Sequence, residues 1–468
     1  MKKSFVGFMF FSLLSTCAGV IAGNVMSVDT ISDMLKIDKM TNGDVVIVSG
    51  YMTVSDGGGG TFRWDSAKMN NEDNGIIFKS AKAESGRWIR IFDEQSPVNV
   101  RWYGVWGDGK HDDSARIQKA IYIARSSGRG VYFPKGDYVS EKPLDFTRWF
   151  GILVKGEDPG NSGISGDFGV SRLLFRDVNS VGADFSGSSY GTIKNLAFAS
   201  IGNVRPKASV LIARGEAGYG SDVTFSNCNF ASGTLASIFC FSGEVLTFND
   251  CRINCGGLGG LIITGMKDYD IASPFPNCKF ASGISLTTFR IVGGEFTTGA
   301  APAIVLDGRN YTLADVWVAG TFFSLVGPNS CVVKLQGNCS NITFEGHRAE
   351  VPVPLPANLG FARLDDAEVR ALSIRGKVTK GPIVYGYGIV EGSQFLSSDY
   401  IDLNGDLINC DVMISKPGEA NYGRLPVTTI TGKATGTIFH LYDESLRDTH
   451  IKILNKDLGL KGHTRINE

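Results

Sequence analysis

A six-residue pattern recurs along the middle of this chain and constrains its fold more than any other feature. Each copy has apolar residues at its first and sixth positions and Asn, Asp or Gly at its third, as in Phe225–Phe230 and Phe248–Ile253. The other copies are Ile193–Phe198, Phe275–Phe280, Ile291–Phe296, Leu313–Val318 and Leu407–Val412. The first six copies recur with a period of roughly 20–30 residues, which is typical of a solenoid built from one supersecondary unit per coil.

The third position of the pattern explains how such coils form. Asn, Asp and Gly adopt the left-handed backbone conformation more readily than other residues, so each copy can bend the chain between two short strands. The flanking apolar residues then point inward, and successive coils pair edge to edge ~4.8 Å apart. Stacking in register places Asn above Asn and Cys above Cys. The pattern predicts an all-β chain wound as a right-handed, single-stranded parallel β-helix of roughly eleven coils, whereas a β-sandwich needs no repeated Asn-Cys step.

The composition agrees with many short strands and excludes several classes of protein. Glycine accounts for 59 of 468 residues, well above the usual ~7%, which suits many sharp turns. Hydrophobic residues make up 43% and charged residues 20% of the chain, enough apolar material for a large core. The formal net charge is −1, so the chain lacks the basic excess expected of a nucleic-acid-binding protein.

The N-terminal segment 1–22 is typical of a secretory signal peptide. Lys2 and Lys3 precede an apolar run from Phe5 to about Cys17, and Ala22 is a small residue that permits cleavage. The run is too short to span a membrane well, since a helix needs ~20 residues. The sequence therefore predicts a secreted or periplasmic protein without a membrane span. Most of the remaining cysteines lie in apolar strand patterns, so we expect buried core thiols more than disulfides.

One helix is predicted before the coils. Asp112 and Asp113 offer an N-cap, and Gly128 and Gly130 end the helical pattern. Its apolar residues recur at the spacing of one helix face; they are Ile117, Ala120, Ile121 and Ala124. A helix here can cap the open end of a β-helix, which otherwise exposes apolar interior and unpaired backbone.

Two blocks of sequence resemble a known family. The first runs from Val98 to Ile121 and contains Gly-Asp-Gly, Asp-Asp and Ile-Gln-x-Ala-Ile; the second comprises Gly50–Asp65, Gly75–Phe78 and Gly86–Ile91. Both are similar to the pectate-lyase-like superfamily, in the branch of bacteriophage tailspikes and capsular polysaccharide depolymerases. The resemblance implies a β-helix with an N-terminal adaptor-like region, a bacterial polysaccharide as ligand and a homotrimer. It also offers the virion tail as an alternative location to secretion.

These observations together predict five segments. They are a signal peptide at 1–22, an N-terminal adaptor-like β region at 23–97, a capping helix and first coil at 98–145, the parallel β-helix at 146–415, and a C-terminal cap or oligomerisation region at 416–468.

Acidic residues one period apart are the candidates for hydrolysis of a glycan. Glycoside hydrolysis needs two carboxyl groups, ~5 Å or ~6.5–9.5 Å apart, and neighbouring coils lie ~4.8 Å apart. The acids that follow one another at about one period are Asp222, Glu244 and Asp268 in one series and Asp270 with Glu295 in another. We predict these five as catalytic, with Tyr219 and Tyr269 beside them as substrate-binding rings. The chain has 47 acidic residues, so coincidental matches are the alternative.

An elimination mechanism needs different groups. It requires a base and a cation that neutralises a uronate carboxylate, and His347 with Arg348 in one predicted loop provides both. No metal or other cofactor is predicted, because only Asp268 with Asp270 approaches the clustering that calcium requires. The predicted function is a polysaccharide-degrading enzyme, either a hydrolase or a lyase. The alternative is a non-catalytic carbohydrate-binding or structural spike β-helix.

Overall fold

The computed structural model describes most of the chain from residue 23 onward. The described ranges are 23–160, 170–214, 220–231, 233–275, 286–327, 330–350, 360–377, 382–398, 400–414, 428–441, 450–453, 456–459 and 463–465. The predicted signal peptide at 1–22 lies outside them. The chain divides into two compact units, one ending at Glu94 and the other beginning at Gln95.

The first unit is a five-stranded sheet with one short helix. Its spatial strand order is Val25–Thr30, Val45–Gly50, Gly60–Asp65, Arg87–Ile91 and Ile77–Phe78, with the helix Ile31–Leu35 after the first strand. Alternate strand residues form a closed apolar core that includes Phe62 and Trp88. The glycine run before the third strand wraps the buried Arg90, whose guanidinium donates to the carbonyls of Gly58 and Gly75 at 2.9 and 2.8 Å.

The second unit begins with the predicted capping helix. A 3₁₀ turn at Val100–Tyr103 is followed by the α-helix Ser114–Ser126, whose four predicted apolar residues are all buried. Asp112 accepts a hydrogen bond from the Ser114 amide at 3.0 Å. Asp113 accepts from the amides of Trp106 and Gly107 at 2.7 and 2.8 Å. Asp113 is therefore the N-cap residue by position, but its carboxylate binds the preceding turn and does not cap the helix.

The rest of this unit is a right-handed parallel β-helix, as predicted, and its strands form three sheets. The first sheet contains Val98–Asn99, Val131–Phe133, Leu153–Gly156, Gly191–Lys194, Ser221–Ser226, Glu244–Asn249, Leu286–Val292, Gln394–Ser398, Asp411–Ile414 and Ile438–Leu441. The second contains Leu144–Asp145, Val181–Asp184, Ala208–Ala213, Ala236–Phe241, Gly259–Thr264, Thr428–Ile430 and His450–Ile453. The third contains Asp108–Asp112, Gly136–Ser140, Ser171–Arg176, Ala197–Ile201, Asn229–Phe230, Arg252–Asn254, Glu295–Thr298 and Phe322–Leu325.

Longer strands run through more than one sheet in the later coils. They are Ile304–Ala319, Cys331–Glu350, Gly360–Lys377, Pro382–Glu391 and Tyr400–Ile408. Parallel pairing continues past residue 415, because Thr428–Ile430 pairs with Tyr400–Ile408 and then with His450–Ile453. The strands Lys456–Gly459 and His463–Arg465 pair antiparallel with the last coils.

Left-handed residues stack in columns at two corners of the coil. Between the first and third sheets the column contains Asn195, Asn227, Asp250, Gly293, Gly320 and Gly346, with φ between 49° and 64°. Asn227 Nδ2 donates to Asn195 Oδ1 at 3.1 Å, which confirms the predicted Asn ladder. The copies Leu313–Val318 and Leu407–Val412 belong to the other corner, between the second and first sheets, where Asp315 and Asn409 are left-handed. The copy Phe275–Phe280 extends outside the described residues.

Stacked side chains fill the interior of the coils. Phe225 lies parallel to Phe248 with ring centroids 5.5 Å apart, and Phe198 lies parallel to Phe230 at 5.4 Å, favourable aromatic distances. The seven cysteines in the described part of the chain are all buried free thiols, as expected; Cys17 and Cys278 lie outside it. No helix in the described ranges is long and apolar enough to cross a membrane.

Candidate active site

Two of the five predicted catalytic acids, Asp222 and Glu244, lie on adjacent coils at the corner between the second and first sheets. Ser221 pairs with Glu244 on the next coil, so Asp222 is one residue out of register with Glu244. Neighbouring backbones in a sheet are ~4.8 Å apart. Asp222 is left-handed, with φ 58°, and half-buried. Its carboxylate accepts a hydrogen bond from Ser221 Oγ at 3.1 Å.

A guanidinium holds the second of these acids in place. Arg214 Nη1 donates to Glu244 Oε1 at 2.9 Å, and both side chains are partly buried. Arg214 follows the strand Ala208–Ala213, and its amide donates to the Phe241 carbonyl at 3.1 Å. The second sheet therefore fixes the cation, and the charge-assisted hydrogen bond orients the carboxylate of Glu244.

Two exposed aromatic rings lie on the coils just before these acids. Tyr190 is 54% exposed and Phe150 is 69% exposed, and their ring centroids are 5.0 Å apart. The Tyr190 amide donates to the Ser221 carbonyl at 3.2 Å, which places Tyr190 beside Asp222 in the same corner column. Rings of this kind offer a large apolar surface to a ligand, and the tyrosine adds a polar hydroxyl. We name Asp222, Glu244, Tyr190 and Phe150 the acidic corner.

Neither ring was predicted from the sequence, although the spacing of the motif contained a signal for Tyr190. The interval from Tyr190 to Asp222 equals the interval from Ile193 to Phe225, where two successive copies of the motif begin. In these coils the six-residue pattern lies at the corner between the first and third sheets. It therefore did not identify Tyr190 or Phe150, which lie at the other corner.

Asp268 and Tyr269 lie on a segment that leaves the coil and packs over the second sheet. We name residues 265–275 the strap. Tyr269 Oη donates to Asp307 at 3.0 Å, and its ring contacts the edge of Phe239 with centroids 5.3 Å apart. Arg309 lies 3.1 Å from Asp268 and 2.7 Å from Asp307. Both predicted residues therefore anchor the strap, away from the acidic corner.

Burial and ion pairing act in opposite directions on the acids under the strap. Burial favours the neutral form of Asp307, but the hydrogen bonds and charge of Arg309 outweigh it and hold the pKa of Asp307 below its ordinary value. No cation of this kind acts on Asp184 among the described residues. Burial raises the pKa of Asp184 to about 6, although Ser186 and Ser273 donate hydrogen bonds to it.

Asp270 and Glu295 are not brought together. Asp270 is on the strap, almost fully exposed, and pairs with Lys207 at 2.8 Å. Glu295 begins a strand of the third sheet, in register with Arg252 and Phe322. The interval between the two acids includes part of the strap, so it does not correspond to one coil. Tyr219 lies outside the described residues.

His347 and Arg348 lie on a strand and not in the predicted loop. Both belong to Cys331–Glu350, and consecutive residues of a strand point to opposite faces. His347 is 4% exposed, and its ring lies 4.6 Å from that of Phe361 in the interior. Burial lowers the pKa of His347 to about 4. Arg348 is on the outer surface and pairs with Glu350. The interior position keeps the imidazole away from any ligand on the surface.

The described ranges contain no group of three or more His, Cys, Asp or Glu side chains arranged to hold a metal ion. The acidic corner itself consists of two carboxylates on adjacent coils and two exposed rings, with Arg214 bound to one of the carboxylates.

Two family models match this chain in adjacent regions. Residues 27–93 match the phage tail protein small four-stranded beta-sheet domain. Residues 97–273 match the rhamnogalacturonase A/epimerase, pectate lyase-like family. A probable glucan endo-1,3-beta-glucosidase of Arthroderma benhamiae is 25% identical over 337 residues, which cover 58% of this chain and 38% of that protein. The chain thus spans less than half the length of this curated relative.

Solved structures of phage tailspikes are also similar. The enzymatically active domain of tailspike protein 2 from bacteriophage CBA120 is 11% identical, with a TM-score of 0.49, and the match covers 89% of this chain and 56% of that one. A tailspike protein of Acinetobacter baumannii bacteriophage Fri1, a capsular polysaccharide depolymerase, is 13% identical, with a TM-score of 0.47, and covers 87% and 72%. The two family models confirm the resemblance seen in the sequence: residues 27–93 are similar to a phage tail β-sheet domain, and residues 97–273 are similar to a pectate-lyase-like family.

Proposed function

We propose that this protein is a tailspike-type enzyme that cleaves a bacterial surface polysaccharide, capsular or O-antigen, at the acidic corner. The observation that carries the proposal is the position of Asp222 and Glu244 on adjacent coils beside the exposed rings of Tyr190 and Phe150. The match of residues 97–273 to a pectate-lyase-like family and the similarity to a probable glucanase support an enzyme that acts on a polysaccharide.

The partners of the two acids suggest their roles. Arg214 stabilises the negative charge of Glu244, which suits the carboxylate that attacks the anomeric carbon. Asp222 contacts a neutral hydroxyl, which suits the acid that protonates the leaving oxygen. Their backbones lie on coils ~4.8 Å apart, with an offset of one residue, and this spacing allows the ~5 Å carboxyl separation of retaining glycosidases. We therefore propose hydrolysis with retention of the anomeric configuration.

The exposed rings would bind the sugars next to the scissile bond. Tyr190 and Phe150 lie in successive coils on the N-terminal side of the acids. A glycan that follows this corner would place neighbouring sugars over the two rings while the bond to be cleaved lies at Asp222 and Glu244. The predicted role of Tyr219 as a further binding ring stays a prediction.

The activity test is incubation of the purified protein with a panel of capsular and O-antigen polysaccharides, followed by size-exclusion chromatography and NMR of the products. We expect shorter chains with retained configuration. Asp222→Asn and Glu244→Gln should each lower kcat by about 10³-fold, in the usual range for loss of an acid–base group. Asp315→Asn is the matched control, because Asp315 is an exposed left-handed aspartate of the same corner further along the stack.

Other outcomes distinguish the alternatives. Full activity in both Asp222→Asn and Glu244→Gln would refute the acidic corner as the active site. Products with the absorbance of an unsaturated uronate would indicate a lyase and contradict hydrolysis. Binding without any shortening of the polysaccharide would favour a carbohydrate-binding or structural spike protein.

We also propose that the protein works in a virion tail as a homotrimer. The match of residues 27–93 to a phage tail domain supports this location. Sedimentation of the intact protein at three times the chain mass is the expected result, and a monomer would contradict the trimer. Secretion through residues 1–22 is the competing route, and N-terminal sequencing of exported protein that begins near Gly23 would favour it.

A further inference from the structure

A cavity of about 670 Å³ lies beside the capping helix, outside the acidic corner. One wall is a face of the helix Ser114–Ser126 that differs from its buried face, and another wall is the end of the strap at Pro274 and Phe275. The floor is formed by the residues around the strand Leu144–Asp145. A volume of this size is typical of small-molecule binding sites, which usually enclose ~300–1,000 Å³.

The floor of the cavity is held in place by hydrogen bonds. Gln118 accepts from the Asp145 amide at 2.8 Å and donates to the Asp145 carbonyl at 3.1 Å. Arg125 donates to the Thr147 carbonyl at 2.7 Å and lies 3.7 Å from the Asp145 carboxylate. These contacts attach the helix to the second sheet, so a ligand would meet a preformed surface and lose little affinity to ordering it.

The charged residues of the lining favour an anion. Arg125 and Asp145 balance each other, and Lys119 and Lys142 add two exposed positive charges, of which Lys142 also attracts the Asp112 carboxylate outside the lining. A cavity whose lining carries a net charge raises the local concentration of ligands of the opposite sign. The lining therefore suits a ligand with at least two carboxylates or comparable acidic groups.

The apolar part of the lining favours a ligand with ring faces. Tyr122 is exposed at the rim, and Phe275 is half-buried on the opposite element, the strap. Small inorganic anions would contact neither ring and would leave most of the cavity empty. A short oligosaccharide with acidic groups matches the volume, the charge and the rings together.

We propose that this cavity is an accessory binding site for an acidic oligosaccharide, in which Lys119 and Lys142 bind the carboxylates and Tyr122 and Phe275 pack against the sugar rings. The cavity shares no lining residue with the acidic corner. Its occupancy requires no cleavage, so the inference goes beyond the proposed enzyme activity. An acidic polymer held here would remain near the protein between successive cleavages.

The test is calorimetric titration of the full chain carrying Glu244→Gln with trigalacturonate and with its carboxyl-reduced, neutral counterpart. We expect binding of the acidic trimer and at least about tenfold weaker binding of the neutral one. Adding Lys119→Glu and Lys142→Glu should raise the Kd at least about tenfold, because two attractions between charges become two repulsions. Tyr122→Ala should weaken binding of the acidic trimer as well.

Lys135→Glu is the charge-matched control, because Lys135 is exposed and outside the cavity lining. It should leave the Kd unchanged. The proposal is overturned if trigalacturonate does not bind, if both trimers bind equally, or if Tyr190→Ala abolishes binding while the lysine variants do not. If the enzyme proposal is wrong, the natural protein does not shorten the polysaccharide. That result would not change the outcome of these titrations.

Discussion

His347 illustrates how far a residue's role depends on the coil that carries it. It is aligned with Thr321 on the preceding coil, in the interior column that includes Leu196 and Cys228. Neither ring nitrogen has a hydrogen-bond partner within the described residues. A buried polar ring without partners costs free energy, and its pKa of about 4 reflects the same burial.

The low pKa of His347 predicts acid sensitivity of the fold. An unfolded chain binds a proton at this histidine near its ordinary pKa of ~6.5, whereas the folded chain binds it only near a pKa of about 4. Folding stability is therefore lost as the pH falls through this window. We expect His347→Leu to gain on the order of 2 kcal/mol in free energy of unfolding at pH 4.5, relative to its effect at pH 7.5. Urea unfolding at both pH values measures this, and an equal effect at both would contradict the explanation.

The corner between the second and first sheets carries a strained residue beside the proposed active site. Val245 follows Glu244 and has φ 49°, a conformation that β-branched residues rarely adopt. Asp315 and Asn341 occupy the same corner position on later coils, and Asp and Asn adopt the left-handed conformation at a lower energetic cost than Val. Backbone strain of this kind is often retained at functional sites.

Relief of this strain is testable at a single position. Val245→Gly should raise the free energy of unfolding by about 1 kcal/mol, because glycine adopts positive φ without steric cost and the partly exposed Val245 side chain has limited burial to lose. Asn227→Ala, at the other corner, should lower it by a similar amount. Urea midpoints of the two variants give the comparison, and destabilisation by Val245→Gly would argue against strain at this residue.

The strap contributes a second pH dependence, of opposite sign. Ser273 of the strap donates to the buried Asp184, whose folded pKa is about 6. An unfolded aspartate has a pKa near ~3.9, so the folded state loses stability as the pH rises from about 4 to 6. In the natural protein, we expect the free energy of unfolding to fall on the order of 2 kcal/mol across this pH range because of Asp184. Asp184→Asn should remove this decrease. The unfolding free energies at pH 4 and 7.5 test it; an unchanged slope would exclude ionisation of Asp184 as its cause.

The elements also show why part of the site could be predicted. Asp222 and Glu244 lie on coils of ordinary length, so a separation of about one motif period identified them as neighbours. Asp268 and Asp270 matched the same period, but the chain leaves the coil after Gly259–Thr264 to form the strap. A separation of one motif period indicates two residues on adjacent coils only while the chain stays in the coil. The sequence does not show at which residue the chain leaves the coil.

At the scale of the whole molecule, the fold could be predicted because every coil imposes the same requirement. A left-handed residue between inward-facing apolar residues recurs at both corners, so the motif predicted the β-helix even where it could not distinguish one corner from the other. Phe150 could not be found from Tyr190 in this way. The interval between them is longer than any interval between the first six copies of the motif, so the spacing of the shorter coils does not apply to it.

The central claim is that a glycan is cleaved at the acidic corner. The most direct test is a crystal structure of the Glu244→Gln variant bound to an oligosaccharide that the natural protein has released from the polysaccharide. We predict a glycosidic oxygen within hydrogen-bond distance of Asp222 and a sugar ring stacked on Tyr190. An oligosaccharide bound on another face of the β-helix, with Asp222 and residue 244 in contact with solvent alone, would contradict it.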